Sequence, residues 1–383
     1  MPLFEPPALD GDDLAVLELI QDQRNRLRPL VAAPRRWSGM LRRVALARAV
    51  RGSNTIEGFT VSVDDAFAVL DDQEPMEADE LAWHAVRGYR DAMTYVLQLA
   101  HEDSLDLCVH TVKALHFMMQ QYDLTKWPGR WRPDQVFVYD SDNRVTVYLG
   151  PEADEVPDLV HELVDDINSS QADIPALVRA ALAHLNLVMI HPFKDGNGRM
   201  ARCLQTLLLT CDGTLAPEFS SIEEYLGYNE QDYYRVLAEV GGGRWAPDRG
   251  TELWVRFCLT AHYRQALRVE RRAELASRLW IRAEDEMTRA ALPERCVQPF
   301  TFCLTGRVLR NATYRQLTQG LSQNAAGRDL NDLVKAGLLE PRGEKRWRHY
   351  VPTAAMRSVA DDIGAEVGQL FTPDGDPYRR IAG

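Results

Sequence analysis

Apolar residues recur at helical spacing along most of this chain. Over residues 12–30, Leu14, Leu17, Ile20 and Leu27 fall near a 3.6-residue period and predict a first helix. A second runs through 40–50, continues toward Glu57 and stops at Gly58. Residues 80–100 and 105–122 predict two more amphipathic helices. The texture then changes. Residues 136–139 and 144–148 are short β-rich runs on either side of Asp140-Ser141-Asp142-Asn143, the pattern of a hairpin. Helices return at 157–168 and at 174–190, the latter strongly apolar. It should end at the His191-Pro192 step, because a residue before proline is biased away from the helical region. Another helix is expected over 199–210. Gly241-Gly242-Gly243 break the chain, and 252–290 reads as one long helix or two in line.

The last block, 299–351, has the order of a winged helix. A short helix over 313–317 and a turn at Leu321-Ser322 precede a second helix, 323–336, capped by Ser322 and stopped by Gly337. Strands are expected at 338–341 and 347–351, flanking the basic tip Arg342-Gly343-Glu344-Lys345-Arg346. Residues beyond about 363 read as a loosely attached tail.

Length and composition narrow the class. At about 150 residues per domain, 383 residues suggest two or three units. With 45% apolar and 26% charged residues, the chain has ample material for a core and is not mainly disordered. No apolar run approaches the ~20 residues of a membrane helix. The start, MPLFEPPALDGDD, lacks the basic and apolar parts of a secretory signal. A cytoplasmic protein without a membrane partner is the expectation. Six scattered cysteines form no CxxC pair and read as reduced core thiols. The net charge of −12 argues against general coating of nucleic acid, but the charge is uneven. Residues 305–351 carry nine Lys/Arg and four Asp/Glu, a local balance of +5.

The chemistry concentrates in His191-Pro192-Phe193-Lys194-Asp195-Gly196-Asn197-Gly198-Arg199-Met200-Ala201-Arg202. This is a helix end, a glycine-rich loop and the start of a second helix. The glycines let the backbone approach a ligand, and the free N–H groups at the helix N-terminus favour an anion. Arg199 and Arg202 lie three apart, on one face of that positive end, where they oppose the helix dipole. A polyphosphate would make their placement favourable. Asp195 supplies a hard oxygen suited to Mg²⁺ beside phosphates. His191 is a candidate general base near neutral pH.

The string matches the HPFx(D/E)GNGRxxR signature of Fic domains at every defined position, and the chain thereby resembles that family. The resemblance implies an all-α fold: a Fic helical core with a small β-hairpin flap, followed here by the winged helix. It divides the chain into an N-terminal helical region (1–84) with an inhibitory helix at about 45–58, the Fic core (85–265), a helical linker (266–298), the winged helix (299–363) and the tail (364–383). It implies transfer of AMP from ATP to a Ser, Thr or Tyr hydroxyl of a target protein. By this resemblance, His191 takes the hydroxyl proton and Asp195 holds Mg²⁺. Gly196, Asn197 and Gly198 bind the α- and β-phosphates, Arg199 the β-phosphate and Arg202 the γ-phosphate, while Phe193 anchors the loop. Gly198 fits AMP transfer better than the lysine of kinase-like relatives. Asn229, Tyr233 and Tyr234 occupy positions where relatives contact the nucleotide, and the hairpin resembles the flap that pairs with an extended target segment.

Upstream, Ser53-Asn54-Thr55-Ile56-Glu57-Gly58 matches the family's (S/T)xxxE(G/N) inhibition motif. Ser53 and Glu57 are four apart and share a helix face. The resemblance implies that Glu57 pairs with Arg202 and blocks productive binding of the γ-phosphate. Two other readings stay open: a Fic enzyme that removes AMP, and a DNA-binding regulator whose Fic domain senses nucleotide. Target proteins, the protein itself among them, are the expected partners. Duplex DNA at 299–363 and a homodimer are further options, although winged helices serve equally as protein-docking modules.

Overall fold

The architecture is that of a computed structural model, which describes residues 2–32, 37–99, 106–140, 145–169, 173–211, 217–371 and 375–381. The chain opens with α1 (Gly11–Ala32), α2 (Ser38–Ile56), α3 (Val63–Leu70), α4 (Glu80–Leu99) and α5 (Val109–Gln120). A hairpin of β1 (Phe137–Asp140) and β2 (Val145–Leu149) follows. The centre is built from α6 (Val156–Asn168), α7 (Ala176–Ile190), α8 (Asn197–Cys211), α9 (Pro217–Ser220), α10 (Glu223–Tyr228) and α11 (Glu230–Gly241). After α12 (Glu252–Arg289) come α13 (Val297–Leu304), α14 (Asn311–Leu317) and α15 (Gln323–Lys335). A second hairpin, β3 (Leu339–Arg342) with β4 (His349–Pro352), precedes α16 (Ala354–Leu370) and α17 (Pro377–Ile381). The expected all-α class holds, with two small antiparallel hairpins among the described residues.

Nearly every side chain of α7 is buried, which explains why its sequence is apolar all round. It pairs with α8 at the centre of the molecule, and the loop between them carries the signature string. Several expectations need correction. The eight-residue α3 is too short to announce itself by period; the signal available was its Ser62 cap, whose Oγ accepts from Asp65 N at 2.9 Å. The apolar period predicts no element between 211 and 240, where two helices, α10 and α11, meet at Asn229. Helix α8 begins at Asn197, so Asn197 and Gly198 belong to its first turn. The tip 141–144 of the first hairpin and positions 100 and 105 lie outside the described residues.

The proposed boundary at 265/266 falls inside one continuous helix, α12, because its apolar face finds partners along its whole length. The end of the chain is not a loose tail. Tyr378 Oη donates to Asp13 Oδ1 at 2.9 Å and Arg380 to Tyr263 Oη at 2.5 Å, fixing α17 against α1 and α12.

The C-terminal half of α2, which carries Ser53, is held by close backbone packing. Gly52 of α2 and Gly227 of α10 meet where helix backbones cross, and a Cβ on Gly52 would overlap the Glu223 carbonyl. Tyr234 Oη donates to the Ile56 carbonyl at 2.9 Å and secures the C-terminal end of α2.

Candidate active site

The loop between α7 and α8 is rigid because its polar groups are spent on itself. His191 ends α7 in the left-handed region, at φ +52°, a conformation uncommon for a residue with a Cβ. Its carbonyl accepts from Arg132 Nε at 2.9 Å. Asn197 closes the loop: Oδ1 accepts from Phe193 N and Nδ2 donates to Phe193 O, both at 2.8 Å. The Asn197 side chain thereby braces the loop with both its carbonyl oxygen and its amide nitrogen. Phe193 is fully buried and stacks on His116, with centroids 3.6 Å apart and the rings 5° from parallel. His116 accepts from Gly129 N at 2.9 Å and donates to the Asp195 carbonyl at 2.8 Å. Burial lowers the His116 pKa to about 4, so it stays a neutral strut.

The His191 imidazole presents one nitrogen for chemistry. Nδ1 lies 3.1 Å from the Val188 carbonyl and donates to it, which leaves the lone pair on Nε2. Burial pushes its pKa below the usual histidine value, so the ring is neutral and basic at neutral pH. Asp195 turns Oδ1 to Gly196 N at 2.6 Å, while Oδ2 is 3.0 Å from Lys126 Nζ. Gly196, at φ +78°, lies against Gln120, whose buried amide has no hydrogen-bond partner.

The two signature arginines are buried, Arg199 fully and Arg202 to 1% exposure. A buried cation is costly unless it is paired. Arg202 is paired completely. Its Nε donates to Ser53 Oγ at 2.8 Å and its Nη2 to Ser53 O at 2.9 Å and Glu57 Oε1 at 2.6 Å. Burial works against the Arg202 charge, yet the Glu57 carboxylate outweighs it and holds the pKa above the ordinary arginine value. A buried relay stands behind it: Arg202 to Tyr233 Oη at 3.5 Å, Tyr233 to His184 Nε2 at 3.0 Å, His184 Nδ1 to Gln205 Oε1 at 2.7 Å. Arg199 is the contrast. Its Nε and Nη1 have no hydrogen-bond partner among the described residues, and its guanidinium lies 5.2 Å from the Phe59 ring centre. Two orphaned donors on a fully buried cation, at a helix N-terminus, are groups whose cost an anion would offset.

Glu57 lies directly over Gly198, where a Cβ would overlap its carboxylate. Glycine at 198 therefore leaves room for the Glu57 carboxylate to reach Arg202. Glu223, 1% exposed beneath α2, accepts from Thr206 Oγ1 at 3.1 Å, and burial raises its pKa to about 7 despite the nearby Arg202.

The structure thus unites Ser53, Glu57, Gly198, Arg202 and Tyr233, with Arg199, Asp195 and His191 along the same loop and helix start. It does not bring Asn229 there. Asn229 Nδ2 donates to Tyr225 O at 2.7 Å, and the residue lines a separate cavity of about 500 Å³ with Tyr228, Arg268, Arg271 and Arg272. Tyr234 holds the end of α2 and lies beside Tyr233, within electrostatic reach of Glu57 and Arg202. Four residues at the site carried no motif signal: His116, Gln120, Lys126 and Arg132. Only their type, polar residues within largely apolar helices or beside prolines, set them apart.

The first hairpin is anchored beside this loop by Tyr148 Oη, which donates to Met189 O at 2.7 Å. The end of its β2 edge is already covered, since Leu149 N donates to Gly243 O and Leu149 O accepts from Trp245 N, both at 3.0 Å.

Comparison with known proteins agrees with this geometry. Residues 106–209 match the sequence model of the Fic/DOC family. The chain is 26% identical over 239 residues to a protein adenylyltransferase Fic of Nematostella vectensis, covering 62% of this chain and 53% of that protein. It is 30% identical over 161 residues to protein adenylyltransferase fic-1 of Caenorhabditis elegans, covering 41% and 30%. The chain spans about half or less of the length of these curated relatives. Among solved structures, a Fic family protein from Desulfovibrio desulfuricans G20 aligns with a TM-score of 0.58 at 22% identity, over 92% of this chain and 99% of that one. Fic-1 from C. elegans aligns at 0.53 and 24% identity, over 67% and 71%. These likenesses establish the fold. No helix among the described residues is long and apolar enough to cross a membrane.

Proposed function

We propose that the protein transfers AMP from ATP to a Ser, Thr or Tyr hydroxyl of a target protein, and that the arrangement described is its autoinhibited state. One observation carries this reading. Arg199 keeps two buried donors without a partner while its neighbour Arg202 is saturated by Glu57 and Ser53. One phosphate subsite is open and the next is occupied by a carboxylate of this same chain.

In the reaction, Nε2 of His191 takes the proton of the target hydroxyl as its oxygen bonds to the α-phosphorus. The bond from that phosphorus to the bridging oxygen breaks, and pyrophosphate leaves. Arg199 and, once Glu57 withdraws, Arg202 hold the departing phosphates by charge-assisted hydrogen bonds. The loop's own hydrogen bonds keep His191 in place, so little is reorganised during the step. The donor set fits Mg²⁺: Asp195 offers one partly exposed carboxylate, and Mg²⁺ commonly takes one or two carboxylates plus substrate phosphates. When bound, the metal would neutralise phosphate charge. Lys126 must first give up Asp195 Oδ2.

The test is incubation with ATP labelled at the α-phosphate, followed by mass spectrometry for AMP adducts on the protein and on lysate proteins. Adducts that require His191 support the reading. Release of AMP from an already modified protein, with none attached, would replace it with the reverse reaction.

A further inference from the structure

We propose that residues 297–352 read double-stranded DNA, with α15 in the major groove. The inward face of α15 is fully used. Ala326, Leu330 and Leu333 are buried, and Asp329, 4% exposed, is turned into the fold. Its carboxylate accepts from Arg295 Nε and Nη2, both at 2.8 Å, and from Tyr314 Oη at 2.9 Å. The acidic residue that would repel phosphate therefore does not face outward. Asp332 is neutralised by Lys335 at 3.0 Å.

What faces outward is Asn324, Arg328, Asn331 and Lys335, all exposed and spaced i, i+4, i+7 and i+11. That spacing makes one stripe about 16 Å long at 1.5 Å per residue. The major groove is about 12 Å wide and admits an α-helix, whose diameter with side chains is about 10–12 Å. Asparagine reads the adenine edge and arginine the guanine edge, and both are present in the stripe. A protein-docking face would carry apolar or aromatic anchors. Among the described residues of 297–352, the one large apolar side chain strongly exposed is Trp347, on the hairpin and not on the stripe.

The β3–β4 hairpin packs beside α15 and adds exposed Lys345 and Arg348, suited to phosphate, while Arg342 is paired with Glu340 at 2.6 Å. The segment 305–351 has a balance of +5 in a chain of net charge −12, so the patch stands out from its surroundings. The segment is fixed to the helices near the inhibitory motif. Val308 N donates to Asp64 Oδ1 at 3.2 Å, Arg310 Nη1 to Glu74 O at 2.8 Å, and Phe302 packs edge-on against Phe67 at 5.2 Å. Those contacts leave the outward stripe of α15 free.

The experiment uses the full chain and fluorescence anisotropy with a random-sequence 30-base-pair duplex, followed by selection of preferred sequences from a pool. Binding is expected at 50 mM salt and should weaken by roughly 10²-fold at 200 mM, as four or five phosphate contacts imply. Lys345→Ala should lower the logarithmic salt slope by about 1 and leave sequence preference intact. Arg328→Ala should weaken the selected duplex by about 10- to 100-fold and relax preference at one base pair. Both side chains are exposed, so neither change removes core. His191→Ala should bind DNA like the wild type, which separates this inference from the AMP-transfer reading. Absence of duplex binding at 50 mM salt would overturn the proposal. So would binding indifferent to the Arg328→Ala, Lys345→Ala double variant, or a preference for single-stranded RNA.

Discussion

Glu57→Gly removes one carboxylate from the contact between α2 and α8 and leaves its partner in place. Arg202 keeps Ser53 Oγ, Ser53 O and Tyr233 Oη at 2.8, 2.9 and 3.5 Å, so its guanidinium needs no rebuilding before it takes a phosphate. Residue 57 caps α2 at its C-terminal end, where glycine is well tolerated. The lost interaction is a charge-assisted hydrogen bond of 2.6 Å between side chains 1% and 19% exposed. Such bonds contribute about 1.5–3 kcal/mol, and solvent screening takes little from a pair so sheltered. In the proposed reaction the γ-phosphate competes with that carboxylate for the same donors. At about 1.4 kcal/mol per factor of ten, the variant should transfer AMP about 10- to 100-fold faster. Affinity for ATP should rise less than turnover, since Arg199 is open in both states and a phosphate misplaced by about 1 Å can cost roughly 10² in rate. The assay is the initial rate of label transfer from ATP to the protein itself, with ATP binding measured calorimetrically beside it. Arg202→Ala should be inactive, and so should the double variant, because both lose the phosphate ligand. Equal rates for wild type and Glu57→Gly across a range of ATP and Mg²⁺ concentrations would refute the autoinhibition argument.

His191→Ala should abolish transfer while ATP binding stays within a few-fold, measured by the same calorimetry. Because burial lowers the His191 pKa, the wild-type rate should hold as pH falls past 6.5 and drop only as pH passes below the depressed value; an acid limb centred at or above 6.5 would contradict this. Lys126→Met frees Asp195 from a partly exposed ion pair of about 0.3–1 kcal/mol, so the Mg²⁺ concentration for half-maximal nucleotide binding should fall roughly two- to fivefold. Glu223 has a folded pKa of about 7 against an ordinary 4.5, so its buried charge destabilises the fold progressively from about pH 4.5 to pH 7, by roughly 3 kcal/mol in all. Glu223→Gln should therefore raise the melting temperature more at pH 8 than at pH 5, as calorimetry would show.

Much of the molecule was legible because its signals are local. The apolar period predicted α1, α2, α4, α6 and α7 to within a few residues, since an amphipathic face must be repeated every turn. Gly58 and Gly337 marked helix ends because each adopts a positive φ, at +82° and +72°, that glycine takes without strain. The loop 191–202 could be singled out because cations at a helix N-terminus oppose the dipole and call for an anion. What sequence could not supply was which surfaces meet. Nothing in spacing shows that Gly52 crosses Gly227, yet that crossing sets Glu57 over Gly198. Asn197 and Asn229 looked alike as polar ligands; tertiary contacts tied one to Phe193 and carried the other to a separate cavity. Lys126, 69 positions before Asp195, entered the site only because the turn after α5 folds over the loop. Asp329 looked like an obstacle on α15 until Arg295 and Tyr314 drew it inward. Periodicity records how each helix divides itself between core and solvent, a property of neighbouring residues. The pairing of buried charges depends on residues far apart in sequence, and only the packed chain decides it.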